Sequence, residues 1–297
     1  MLKYYFIKII LLVLLIYFIK QYLFNNIKEH FSNKTFKLKI LVPFYNPGPE
    51  ILRRCLESIV RQKRNKNSFD YDVCMIDDAS TIKVDEIYKV MDEYENKFPN
   101  FYSLKKKKNK GTLHSNISGM KILNCKEEDV VIIIDGDDEL YGDNVLNTIE
   151  NAYRKNDIYV TFGNYYRRYN NDIQKTINVD CYRDYPNIIR NNSYRSMNVF
   201  FGFSHLKTFK YKLFASVPLR YFKDKNNKYF KASTDVATMI AVLERSGGKF
   251  MCFDEPLYIY TQDHPNSHHN NNSGIKLQRK NELYIRSSAF KPLKAIV

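Results

Sequence analysis

The sequence predicts an α/β fold, a Rossmann-type sheet flanked by helices. Three observations carry this. From Leu38 to about Lys155, strand-like and helix-like segments alternate. The run Val130-Val131-Ile132-Ile133-Ile134 holds only β-branched apolar residues with no helical spacing, which marks a buried central strand. Two of the strands end abruptly in acid, at Asp77-Asp78 and at Asp135-Gly136-Asp137-Asp138. In parallel α/β sheets, ligands sit just beyond the carboxyl ends of the strands.

The elements follow in order. Lys39-Ile40-Leu41-Val42-Pro43 reads as a strand broken by Pro43, and Phe44 to Pro49 as a turn-rich loop. Glu50 to Arg61 carries apolar residues at helical spacing. Tyr71 to Ile76 is a second strand, and Asp77-Asp78-Ala79-Ser80-Thr81 suits a loop that binds a polar ligand and caps the helix from Val84 to Phe98. Asn100 to Leu104 reads as a third strand. Asn109-Lys110-Gly111-Thr112 opens a helix to about Leu123, and a Lys and a Gly at a helix start suit a diphosphate. The central strand comes next. Its three carboxylates within four residues repel one another in a dry site. They call for a counter-cation, and their oxygens suit Mg²⁺ or Mn²⁺. Gly136 lets the backbone turn sharply beside a ligand. On these residues alone, a solvated acidic turn is the alternative.

A helix is expected from Asn144 to Lys155 and a strand from Ile158 to Phe162. Beyond them the pattern is less regular. Tyr165 to Asn192 is polar and aromatic, and Gly202 to Phe209 leads into a short helix ending near Phe214. Val236 to Glu244 has helical spacing, and Thr234 or Asp235 fits its N-cap. Phe250 to Phe253 and Leu257 to Tyr260 read as short strands. A basic amphipathic helix starts at Gly274.

Composition narrows the function classes. The chain has 297 residues and a formal net charge of +15, which attracts polyanions. No nucleic-acid-binding motif accompanies the Lys105–Lys108 cluster, which reads as a solvated loop, so no nucleic-acid partner is expected. The five cysteines are scattered and lack CxxC spacing, suggesting neither a zinc site nor a disulfide framework. Tyr4 to Phe24 is nearly all apolar, flanked inside by Lys8 and Lys20, and no small-residue cleavage site follows. This predicts an uncleaved, single-pass N-terminal membrane anchor. Lysines lie on both sides, so charge does not set its orientation.

Six motifs in order resemble the family-2 glycosyltransferases of the GT-A fold. They are Ile40 to Asn46; the helix Leu52 to Gln62; Met75-Ile76-Asp77-Asp78-Ala79-Ser80-Thr81; Asn109-Lys110-Gly111; Ile133-Ile134-Asp135-Gly136-Asp137-Asp138, similar to a DxD element; and Tyr260 to Ser267. The resemblance implies a GT-A-like mixed sheet and assigns roles. Pro43, Tyr45, Asp77 and Asp78 would hold the nucleotide base, with Lys110 near the diphosphate. Asp135, with Gly136 beside it, would meet the ribose. Asp137, with His264 as candidate partner, would bind Mn²⁺ or Mg²⁺. Asp235 falls where the family carries its general base. His205 reads as structural and stays outside this set. Thr234 replaces the usual Glu before the base, and Asn116 stands where many members carry Arg.

The implied organisation is an anchor at 1–24, a stem at 25–37, a GT-A domain at 38–267 and a C-terminal basic helix at 268–297. Within the domain, 38–160 would bind the nucleotide-sugar and 161–267 the acceptor. The implied activity is metal-dependent, inverting transfer of a sugar from a nucleotide-sugar, a UDP-sugar for example, to a hydroxyl of a glycan, glycoprotein or glycolipid. The expected location is an ER- or Golgi-type membrane. Two alternatives differ in class: a haloacid-dehalogenase-type phosphatase using Asp135 as nucleophile, and a non-catalytic nucleotide- or glycan-binding module on the same fold.

Overall fold

The structure is a computed structural model that describes residues 13–21, 35–64, 70–169, 172–174, 185–199, 201–203, 205–262 and 272–297. The described strands form two sheets. The larger has seven strands: β1 (Leu38–Phe44), β2 (Tyr71–Asp77), β3 (Asn100–Lys105), β4 (Val130–Ile133), β6 (Val160–Gly163), β9 (Lys207–Lys210) and β10 (Phe250–Phe253), in the order β10-β6-β9-β4-β1-β2-β3. The smaller has four: β5 (Glu139–Leu140), β7 (Tyr166–Tyr169), β8 (Asp172–Gln174) and β11 (Tyr258–Thr261), in the order β5-β11-β7-β8. The helices are α1 (Pro49–Val60), α2 (Val84–Glu95), α3 (Thr112–Ile122), α4 (Val145–Lys155), α5 (Tyr185–Asn191), α6 (Tyr211–Ala215), α7 (Thr234–Ser246) and α8 (Asn272–Ile285).

β4 lies at the centre of the large sheet, as its β-branched run predicts. β1, β2, β3 and β4 run parallel. Side chains alternate between two cores. Leu38, Ile40, Val42 and Phe44 of β1 join the core under α1, α2 and α4. Leu41 joins the other, under α3, α6 and α7. α3 lies close because residue 119 is glycine: a Cβ there would stand 2.8 Å from Leu41 Cδ2 and 2.9 Å from Ile76 Cδ1.

Four expectations need correction. Pro43 does not break β1, which continues to Phe44 in register with Asp77. Its carbonyl accepts the Gly136 N–H at 3.0 Å, so the proline, lacking its own N–H, still joins the ladder through its oxygen. The segment before α6 is not simply a lead-in to a helix. It is β9, antiparallel to both β4 and β6, and this strand makes the sheet mixed. Its sequence, Lys-Thr-Phe-Lys, conceals it, because both lysines are buried and satisfied by acids. The segment at 268–297, expected outside the domain, joins its core: α8 ends at the buried Ile285, and Phe290 and Leu293 beyond it pack into the same cluster. Cys252 is disulfide-bonded, whereas Cys55, Cys74 and Cys125 are free.

Of the expected anchor, residues 13–21 are described. They are helical and their apolar side chains are exposed, Val13 at 60% and Phe18 at 65%. Among the described residues, no helix is long and apolar enough to cross a membrane.

Candidate active site

The carboxyl ends of β1, β2 and β4 open into a cleft of about 780 Å³. Pro43 and Tyr45 line it from β1 and the following loop, Asp78 from the end of β2, and Asp135, Asp137 and Asp138 from the turn after β4. Asp235 lines it from the first turn of α7. Asp78 and the acids after β4 thus face one space because the α/β topology gathers strand ends on one edge, and Asp235 joins them from a helix start.

The loop after β2 is rigidly tied. Asp77 accepts the Ser80 N–H at 2.8 Å and the Tyr88 hydroxyl at 2.6 Å, so both its oxygens hold the loop and it does not line the cleft. Asp78 accepts Lys106 Nζ at 2.8 Å, the Lys110 N–H at 3.0 Å and the Gly111 N–H at 2.6 Å. A side chain therefore occupies N–H groups that open α3, where a diphosphate was expected. The Lys110 side chain is exposed and not among the residues lining the cleft. Lys106, expected in a solvated loop, is buried against Asp78 and Ser115. Asn116 is buried within α3, and among the described residues its Oδ1 has no partner.

The acid turn divides its labour. Gly136 packs under β1, where a Cβ would lie 2.7 Å from Phe44 Cβ. Asp138 is fully buried and accepts the Tyr258 hydroxyl at 2.9 Å and the Thr261 N–H at 2.7 Å. It fastens β11 to the turn. Burial first, then the charges of Asp137 and Asp135, push its carboxyl well above the usual range. Asp135 is partly exposed to the cleft and accepts Lys207 Nζ at 3.1 Å.

Lys207 and His205 are what the sequence reading missed. Burial pulls the Lys207 ammonium down, but Asp135 and then Asp235 outweigh it, so the cation is held above its ordinary value. His205 stacks on Tyr258, ring centroids 4.7 Å apart, and on Tyr260 at 5.2 Å. Its burial, reinforced by Lys207, pushes it well below the ordinary histidine value, so it is a neutral imidazole. Among the described residues, its buried Nδ1 has no hydrogen-bond partner. Asp135, Asp138 and His205 each bring one ligand-type atom within 4.8 Å of the others. An orphaned neutral imidazole nitrogen beside carboxylates fits a divalent cation. The candidate partner His264 lies outside the described residues. A signal was present in sequence, a His and a Lys flanking one residue before Thr-Phe, but without β9 nothing linked them to the acids.

Asp235 is not a cap. The N-cap position of α7 is Ser233, in the left-handed region at φ 55°, and no side chain caps the helix. Among the described residues, Asp235 accepts no hydrogen bond and its carboxylate lines the cleft. Ser233 Oγ donates to the Gln278 carbonyl at 2.8 Å and Asn281 Nδ2 to the Ala232 carbonyl at 2.9 Å. So α8, expected outside the domain, fixes the loop that presents Asp235, and Leu277 and Gln278 form part of the cleft wall.

Comparison with known proteins identifies the family and agrees with the fold. The glycosyl transferase family 2 model matches residues 39–217. Among solved structures, S. aureus TarS is 19% identical with a TM-score of 0.52, over 76% of this chain and 37% of that chain. TarS 1-349 is 18% identical with a TM-score of 0.53, over 76% of this chain and 60% of that one. TarS 1-349 in complex with UDP-GlcNAc is 19% identical with a TM-score of 0.51, over 84% and 67%. The chain thus spans less than two thirds of the first two of these, and at such identities the likeness is one of fold. No curated protein matches the sequence. The matched span holds β1, α1, both acidic loops and Lys207, and through it the chain belongs to glycosyl transferase family 2.

Proposed function

We propose that the protein transfers a sugar from a nucleoside-diphosphate sugar, of which a UDP-sugar is the leading candidate, to a hydroxyl of a glycan-type acceptor, with inversion at the anomeric carbon. The observation that carries this is Asp235, a carboxylate that accepts no hydrogen bond among the described residues and faces the same cleft as Asp135 and Asp137. Pro43, Tyr45 and Asp78 line the part of the cleft where the base and ribose would bind. Asp235 takes the proton from the acceptor hydroxyl. That oxygen bonds to the anomeric carbon, and the bond to the diphosphate oxygen breaks with its electron pair going to the nucleotide. Asp137, which lines the same cleft, would hold Mn²⁺ or Mg²⁺ together with the cluster of Asp135, Asp138 and His205. When bound, such an ion supplies charge neutralisation for the leaving diphosphate. Lys207 holds Asp135 in place through its ion pair.

Association with an ER- or Golgi-type membrane through residues 4–24 is part of the proposal, supported by the exposed apolar helix at 13–21. The Cys252 disulfide favours a compartment in which disulfides form. Membership of the family sets the phosphatase reading aside. The test is a panel of nucleotide-sugars, with and without Mn²⁺, scored for protection against thermal unfolding and for release of the nucleotide. Protection by one donor, lost in Asp137→Ala, together with nucleotide release supports the transferase. Protection without release under any acceptor supports the non-catalytic binding module. No protection by any member sinks the proposal.

A further inference from the structure

β7 carries two neighbouring arginines with opposite fates. Arg168 faces β5 and pairs with Glu139 at 2.9 Å, and on the same face Tyr166 meets the Tyr141 ring at 4.5 Å between centroids. Successive strand residues point to opposite faces, so Arg167 turns the other way and lines the cleft, in register with Tyr260 of β11. Among the described residues the Arg167 guanidinium makes no hydrogen bond or ion pair, and its Nε is buried without a partner. A shielded cation left open toward a cleft is matched by an anion, since burying an arginine donor without a partner is costly.

The sheet order says which anion. Pro43, Tyr45 and Asp78 sit at the ends of β1 and β2, on one side of β4. Arg167 follows β6, which lies two strands from β4 on the opposite side. The acid turn stands at the end of β4, between the two. A donor placed against β1 and β2 with its diphosphate at the acid turn leaves Arg167 on the acceptor side. We propose that Arg167 is an anion-binding subsite for the acceptor, so that the preferred acceptor carries a phosphate, sulfate or carboxylate group near the hydroxyl that is glycosylated. This rests on the glycosyltransferase reading and specifies its substrate class. The +15 net charge of the chain would draw such an acceptor toward the surface.

The test uses the full chain and Arg167→Gln, with Arg167→Lys as the charge-retaining control. Sodium sulfate is titrated into protein saturated with UDP and Mg²⁺, against sodium chloride of matched ionic strength, and UDP affinity is measured separately by calorimetry. The expected result is sulfate binding to the UDP-bound wild type, weakened about tenfold or more in Arg167→Gln, the order of one charge-assisted hydrogen bond, and partly retained in Arg167→Lys. UDP affinity should be unchanged by either substitution. Loss of UDP affinity in Arg167→Gln, without sulfate binding to the UDP-bound wild type, would assign the cation to the donor and overturn the proposal. Sulfate binding that is absent from the wild type, or indifferent to residue 167, overturns it as well. If the wild type binds no nucleoside diphosphate, the glycosyltransferase reading fails instead, and sulfate binding to the nucleotide-free chain still decides the role of Arg167. Arg167 makes no hydrogen bond or ion pair among the described residues, so Arg167→Gln should melt with the wild type.

Discussion

Lys207 Nζ and Asp135 Oδ2 lie 3.1 Å apart, the lysine side chain 6% exposed and the aspartate 28%. The acid turn therefore contains its own cation. Without it, Asp135, Asp137 and Asp138 would face one another around a dry turn, where like charges are costly. The ammonium is delivered by β9, whose antiparallel register sets Lys207 opposite Ile133, at the very end of β4.

Replacing this cation should expose the repulsion. Lys207→Met is expected to lose about 1–3 kcal/mol of stability, the order of a hydrogen bond between charged groups. Because a divalent ion can take over the missing charge, Mn²⁺ should raise the melting temperature of Lys207→Met by more than that of the wild type. Equal Mn²⁺ shifts in the two proteins would show that Lys207 and the metal do not share the same acids.

Asp235→Asn removes the proposed base with little change in shape. Turnover should fall by roughly 10²–10⁴-fold, with donor affinity within about twofold of the wild type. Rates and affinities come from nucleotide release and calorimetry. A variant that keeps most of its turnover would place the base elsewhere. One that loses donor binding would make Asp235 part of the donor site.

His205 gives a pH signature. Its folded-state value is depressed well below the ordinary one, so its contribution to stability is present above the unfolded value, near 6.5. It is lost as pH falls through the depressed folded value. Metal-free protein should therefore become less stable as pH drops below about 6.5. His205→Phe keeps an aromatic ring against Tyr258 and Tyr260 and should flatten that part of the profile. If His205 is also a ligand, the same variant should bind Mn²⁺ more weakly in a direct titration. An unchanged pH profile in thermal melts would remove the first claim, and unchanged Mn²⁺ affinity the second.

Gly136 is fixed by space. A methyl group there would press on Phe44 at 2.7 Å, and the Pro43 carbonyl stands 3.3 Å away. Gly136→Ala is expected to cost about 1–3 kcal/mol as β1 and the acid turn are forced apart, and to weaken donor binding with it. Urea unfolding and donor titration measure the two effects. Wild-type stability in this variant would mean that Phe44 moves aside freely.

Local pattern by itself determined the core of the molecule. The β-branched run of β4, the apolar spacing of α1 and α2, and the acidic ends of β2 and β4 are short-range signals, and each corresponds to its element within a residue or a few. The motif order was enough to place the chain in its family. What only the tertiary structure decided are the relations between distant segments. β9 reads as polar because its lysines are buried against acids far away in sequence. His205 and Lys207 join the site only once β9 is inserted beside β4. Asp78 looked like a ligand for a nucleotide, yet it binds the backbone of Lys110 and Gly111, 32 and 33 residues on. The C-terminal helix shapes the cleft through hydrogen bonds 45 and 49 residues long. Periodicity reports which face of a segment is apolar. It carries no record of which buried charge will find its partner across the sheet, and in this protein those pairings build the site.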